Sequence, residues 1–188
     1  MTMKPINTLT LLALVPALCF PTLGSGDQTD QRLVPLFEAL QSSRDQKVLQ
    51  EAEAAIWNLW FESGAAEVDA LMQQAALLVR SGELAAAEVI YSEVIATLPG
   101  FSEGWNRRAT VRFYRRNFEG SLADIEQTLR LEPRHFGAIW GLGMILGSRR
   151  DFQRAIRAFE RLLEIRPNAA DAPRRIELLK QEMAREAV

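Results

Sequence analysis

Residues 102–135, SEGWNRRATVRFYRRNFEGSLADIEQTLRLEPRH, and residues 136–169, FGAIWGLGMILGSRRDFQRAIRAFERLLEIRPNA, are one pattern written twice at a spacing of 34 residues. Trp105, Ala109, Phe118, Ser121, Ile125 and Pro133 recur as Ile139, Gly143, Phe152, Ala155, Phe159 and Pro167. Sliding the frame back by one period lands on Leu71, Ala75, Leu84, Ala87, Tyr91 and Pro99, a third and weaker copy at 68–101. A period of this length belongs to stacked supersecondary units, each too small to bury its own apolar face.

Each copy reads as helix, turn, helix. An apolar-periodic run breaks at a short polar turn (Ser81-Gly82-Glu83, Arg116-Asn117, Arg150-Asp151), and a second helical run ends at Pro99, Pro133 or Pro167, which cannot continue it. Asn117 and Asp151 stand where a side chain can accept from the free N–H groups of the second helix. The small residues at Ala75, Ala109 and Gly143, facing Ala87, Ser121 and Ala155, let two helix backbones approach closely.

On these residues the chain resembles the tetratricopeptide-repeat family, in the form of a short, exported, bacterial-type member. Residues 136–169 match best, with Leu142-Gly143, Ala155, Phe159 and Pro167 of the expected types. Arg108 departs from the usual Leu, and Arg116 and Arg150 occupy a turn position that often carries Gly. The resemblance implies an all-α fold: a right-handed α-solenoid of helix-turn-helix repeats at 68–101, 102–135 and 136–169, with a C-terminal capping helix at 170–188.

Of the 188 residues, 48% are apolar and 24% charged, ordinary for one soluble domain. The formal charge of -2 hides an asymmetry: residues 27–101 carry 12 acids against 4 bases, and residues 102–169 carry 8 against 13. Basic residues are 19 Arg and only 3 Lys, which suits planar pairing with carboxylates. A slightly acidic total argues against nucleic acid as a partner.

Residues 1–24 read as an export signal: Lys4, an apolar run from Leu9 to Phe20, then Gly24, Ser25 and Gly26. That run is too short to span a bilayer comfortably. Removal of the signal takes the single cysteine, Cys19, with it, and the signal itself makes the periplasm or the outside of the cell the expected location. Residues 25–30 are a linker. Residues 31–67 contain two helical stripes, Leu33-Leu36-Phe37-Leu40 and Val48-Ala52-Ile56-Leu59-Trp60, and are either a degenerate first helix pair or an unrelated helical cap. Trp57 and Trp60 belong to its core on this reading. After the repeats, Ala172, Ile176, Leu179, Met183 and Ala187 form the apolar stripe of a final helix that closes the stack.

No catalytic constellation is present. There is one histidine, His135, in a turn after Pro133, no phosphate-binding glycine loop between strand and helix, and no metal-ligand spacing, so neither cofactor nor metal is expected. Gly137, Gly141, Gly143 and Gly147 lie at helical spacing inside one helix. Such glycines cost roughly 1 kcal/mol each relative to Ala, which close helix contact or a ligand has to offset. By resemblance, the first helices line a concave groove through Asp69, Met72, Ala76 and Val79, then Glu103, Asn106, Thr110 and Phe113, then Gly137, Trp140, Met144 and Gly147. The partner-binding candidates are Met72, Glu103, Asn106, Arg107, Thr110, Phe113, Trp140 and Met144, with Trp140 as aromatic anchor. Arg108, Arg112 and Arg115 share one helical face and are expected to pair with carboxylates of adjoining helices. The function expected is a non-enzymatic protein-interaction or scaffold module of the cell envelope that binds a peptide or partner protein. Groove binding of a small molecule or envelope polymer, or service as an accessory subunit of an envelope enzyme, are the alternatives.

Overall fold

The computed structural model describes residues 30–186. The export signal at 1–24 and the linker up to residue 29 lie outside the described residues. Nine helices and no strand are found within them: α1 (Leu33–Ser42), α2 (Gln46–Phe61), α3 (Ala66–Arg80), α4 (Leu84–Thr97), α5 (Ser102–Tyr114), α6 (Phe118–Leu131), α7 (Phe136–Ser148), α8 (Phe152–Ile165) and α9 (Asp171–Glu186). The pairs α3–α4, α5–α6 and α7–α8 each fold back on themselves, and each stacks on the next to make an α-solenoid that α9 closes by packing on α8.

The recurring small residues are the points of closest approach. Ala75, Ala109 and Gly143 are buried, as are Tyr91, Ile125 and Phe159 of the partner helices. At Gly143 the spacing is tightest, since a Cβ there would lie 2.7 Å from Phe159 Cζ. Asn117 and Asp151 cap α6 and α8 as expected, accepting from the N–H groups of Gly120 and Arg154.

Arg108, Arg112 and Arg115 do pair across helices. Arg108 grips Asp124 of α6 through both carboxylate oxygens (2.8 and 2.9 Å) and donates to Ser92 of α4 (3.1 Å). Arg112 bridges Glu88 of α4 (2.8 Å) and Asp124 (2.9 Å), and Arg115 also reaches Glu88. Asp124 is 1% exposed. The guanidinium at Arg108 therefore replaces the usual Leu because a buried carboxylate waits opposite it, and the pair ties α5 to α6 with a geometry an apolar contact would not specify.

The N-terminal hairpin does not continue the stack ahead of α3. Leu33, Phe37, Leu40, Ile56 and Trp60 share a core with Phe136, Ile139, Phe159, Leu162, Ala169 and Ala172, so α1 and α2 fold back over the third repeat. The charge asymmetry is spent partly here, for Glu53 of α2 pairs with Arg166 at 2.8 Å.

The three turns inside the repeats close alike. The N–H groups of Glu83, Asn117 and Asp151 reach back to the carbonyls of Leu78, Arg112 and Leu146 at 2.8–3.0 Å, and the residues before them have φ of 82° (Gly82), 62° (Arg116) and 63° (Arg150). This is the left-handed helix ending in which Gly is unstrained and a side chain costs on the order of 1 kcal/mol. Arg116 makes no side-chain bond among the described residues. Arg116→Gly is expected to raise stability by about 0.5–1 kcal/mol, read as a higher urea midpoint at unchanged slope.

Candidate functional site: the concave face

The first helices of the repeats, α3, α5 and α7, present the face on which the groove residues were expected, and α2 lies over one end of it. Trp57 covers Gly137, where a Cβ would meet its ring at 2.7 Å. Arg107 of α5 sets its guanidinium over Phe61 (4.6 Å) and Trp57 (5.9 Å), a cation–π arrangement that holds α2 to α5. Trp60 stacks flat on His135, with ring centroids 4.2 Å apart and planes 11° from parallel.

Beneath this aromatic cover is a buried polar network. His135, fully buried, is the N-cap of α7: its Nδ1 accepts from the Ala138 N–H at 3.1 Å, which leaves Nε2–H to donate to Glu103 at 2.9 Å. Glu103 is also 0% exposed and accepts from Asn106 (2.9 Å) and Arg107 (2.5 Å). Burial alone would raise the pKa of this carboxyl. The His135 hydrogen bond and the Arg107 charge outweigh that and hold it below the ordinary carboxylate value.

Beyond the reach of α2, the face opens into a cleft of about 300 Å³ between α5 and α7. Asn106, Thr110, Phe113, Trp140 and Met144 line it, with Gly141 and Ile125 at its floor. Its lining is mostly apolar, with polar groups from Asn106, Thr110, Tyr114 and Ser121. Five of the eight expected residues thus meet in one place. Glu103 does not join them: its oxygens are consumed inside the chain, so its place among the partner-binding candidates is corrected by its burial. Arg107 is turned toward Glu103 and the α2 rings. Met72 is 7% exposed and packs in the core of the first repeat, beside a separate hollow under Phe61. Trp140 is half-buried and serves two purposes, packing edge-on against Phe159 at 5.1 Å while forming one wall of the cleft.

His135 is the residue whose importance the sequence understated. His is not among the residues that mark an N-cap in a sequence, so its capping of α7 carried no local signal. Its burial depends on Trp60, which no local pattern connects to it.

No family model matches the chain. A TPR repeat-containing protein of Rhizobium etli is 37% identical over 154 residues, which cover 82% of this chain and 76% of that protein. The chain belongs to the tetratricopeptide-repeat (TPR) family. Solved TPR structures share the fold: the first TPR domain of Spaghetti (RPAP3), bound to the HSP90 peptide SRMEEVD, superimposes with a TM-score of 0.60 at 20% identity over 62% of this chain and 93% of that one. The Sgt2 TPR domain of Aspergillus fumigatus gives 0.61 at 20% identity over 65% and 83%.

Within this TPR array the glycines of α7 divide by what stands opposite. Gly137 accommodates Trp57, Gly143 accommodates Phe159, and a Cβ on Gly147 would lie 3.1 Å from Leu179 of α9. Gly141 alone of these four could take a Cβ with only an ordinary contact, 3.4 Å from Ile125, and it opens into the cleft. Packing therefore explains three of them and leaves Gly141 to the width of the cleft. Gly141→Ala is expected to stabilise the protein by about 1 kcal/mol, whereas Gly143→Ala destabilises it by about 1–3 kcal/mol by forcing the Phe159 ring aside. Thermal melts of the two variants side by side check this opposition of sign.

Proposed function

We propose that this TPR protein is a non-catalytic adaptor that holds a segment of a partner protein in the cleft between α5 and α7. The observation that carries this reading is the convergence of Thr110, Phe113, Trp140 and Met144 on one apolar depression with a glycine floor that packing does not require. Aromatic and Met side chains around a partly open hollow are the composition of a binding hot spot. At about 300 Å³ the cleft is at the lower end of the range for whole small-molecule ligands, and its size suits one or two inserted side chains of a longer chain. That a TPR domain similar in fold was solved with a bound peptide supports the same mode of use. The export signal read at 1–24 places the adaptor, on this proposal, in the periplasm or outside the cell.

The mechanism is recognition by a preformed surface. α5 and α7 are fixed by their partners α6 and α8, so little ordering is needed on binding and the ligand's apolar surface is removed from water. Asn106 and Thr110 give orientation. No described helix is long and apolar enough to cross a membrane.

Thr110 offers a clean test, because it is exposed and its hydroxyl bonds only the carbonyl of Asn106 one turn back (3.0 Å). Thr110→Glu places a charge in the cleft at little cost to the fold. The expected outcome is a melting temperature within a few degrees of the wild type and loss of a partner that wild-type protein retains from an extract of its own cells. Equal retention by both proteins overturns the proposal.

A further inference from the structure

Resting on the reading of the α5–α7 cleft as the partner site, we infer that α9 completes this site: Arg174 and Arg175 receive a carboxylate of the bound segment while an apolar side chain of the same segment enters the cleft. The ligand class is then an extended peptide segment that combines a large apolar residue with a neighbouring acid.

Trp140 is a partition between two hollows. On one side is the α5–α7 cleft, and on the other a hollow of about 310 Å³ lined by Trp140, Asp171, Arg174, Arg175 and Leu178. A third hollow, of about 300 Å³, takes Met144 from the cleft and Arg175 and Leu178 from α9. Because Trp140, Met144 and Arg175 are shared between neighbours, the depressions adjoin and run from α5 across α7 to α9. A segment of a few residues laid across Trp140 reaches from one end to the other.

Charge decides what lies at the far end. Arg107, Arg108, Arg112, Arg115, Arg149, Arg154 and Arg166 are all engaged by carboxylates. Arg174 and Arg175 are exposed and have neither an ion pair nor a side-chain hydrogen bond among the described residues. The acids facing them are Asp171, which shares their hollow without pairing to either, and Glu182, which Arg185 already holds at 2.7 Å. Two guanidinium groups against one free carboxylate leave the hollow positive. A planar carboxylate fits that donor geometry, and a lysine on the ligand meets repulsion.

The test uses purified full-length protein on an array of acetylated, amidated nine-residue Gly/Ser peptides. Each has one central Leu, Met, Phe or Ala, with Asp, Asn or Lys placed on either side of it. Wild-type protein is expected to favour a large apolar centre, and to bind the Asp peptides about tenfold more tightly than the Asn ones, with Lys weakest. In the Arg174→Glu/Arg175→Glu variant, where both positions are exposed, the Asp preference disappears while the dependence on the apolar centre persists. Dependence on the apolar centre with Asp and Asn equal on the wild type, or an Asp preference that survives the double substitution, overturns this inference and leaves the cleft reading standing. A blank array overturns both, and if the protein then sediments as a dimer, a second copy is the occupant instead.

Discussion

The flat stack of Trp60 on His135 is the contact on which the shape of the concave face depends. His135 joins three helices at once, since it caps α7, hydrogen-bonds Glu103 of α5 and carries the indole of α2 on its face. Aromatic pairs of this kind contribute on the order of 1 kcal/mol beyond area burial. A larger share comes from Leu33, Phe37, Leu40 and Ile56, which the stack brings into one core with Ile139, Phe159 and Leu162. With the hairpin fixed there, one end of the wall is shut by Trp57 and Phe61, and the α5–α7 cleft opens beyond Arg107.

The buried charges serve alignment. Asp124 is satisfied by Arg108 and Arg112 of α5, and Glu103 by Asn106 and Arg107 of α5 and by His135 before α7, so neither is left desolvated without a partner. Buried ion pairs of this sort contribute little net stability against an apolar alternative, but they discriminate strongly against a shifted register, because sliding a helix by one turn strands a charge. The acidic first half and basic second half of the chain are drawn on in the same way, through Glu88–Arg112 and Glu53–Arg166. Part of the asymmetry that the sequence offers to a partner is therefore already spent inside the molecule.

Periodicity made most of the fold legible. The 34-residue frame located the repeat helices, the turns and their caps, and the small residue facing a large one in each pair. The family resemblance also marked Arg116 and Arg150 as occupants of a position that often carries Gly, and φ is positive at both. The placement of α1 and α2 was not legible, because an apolar stripe says that a helix must be covered and not which neighbour covers it. The same limit applied to Glu103, which stands at a groove position by register and was buried by residues arriving from α2 and from the turn before α7. The cleft residues Thr110, Phe113, Trp140 and Met144 were reached through the groove positions that the family resemblance implied, and they line the cleft between α5 and α7.

The N-terminal hairpin is a fixed part of the fold, and the α5–α7 cleft is what remains open. Native-state hydrogen exchange on the full chain tests this most directly. If the hairpin shares one core with the third repeat, the amides of Ala52, Ile56 and Trp60 exchange with an opening free energy matching those of Ile145, Phe159 and Leu162. Exchange of the α2 amides by an opening several kcal/mol easier, with α7 and α8 still protected, contradicts this: the hairpin then detaches, and the whole concave face is open.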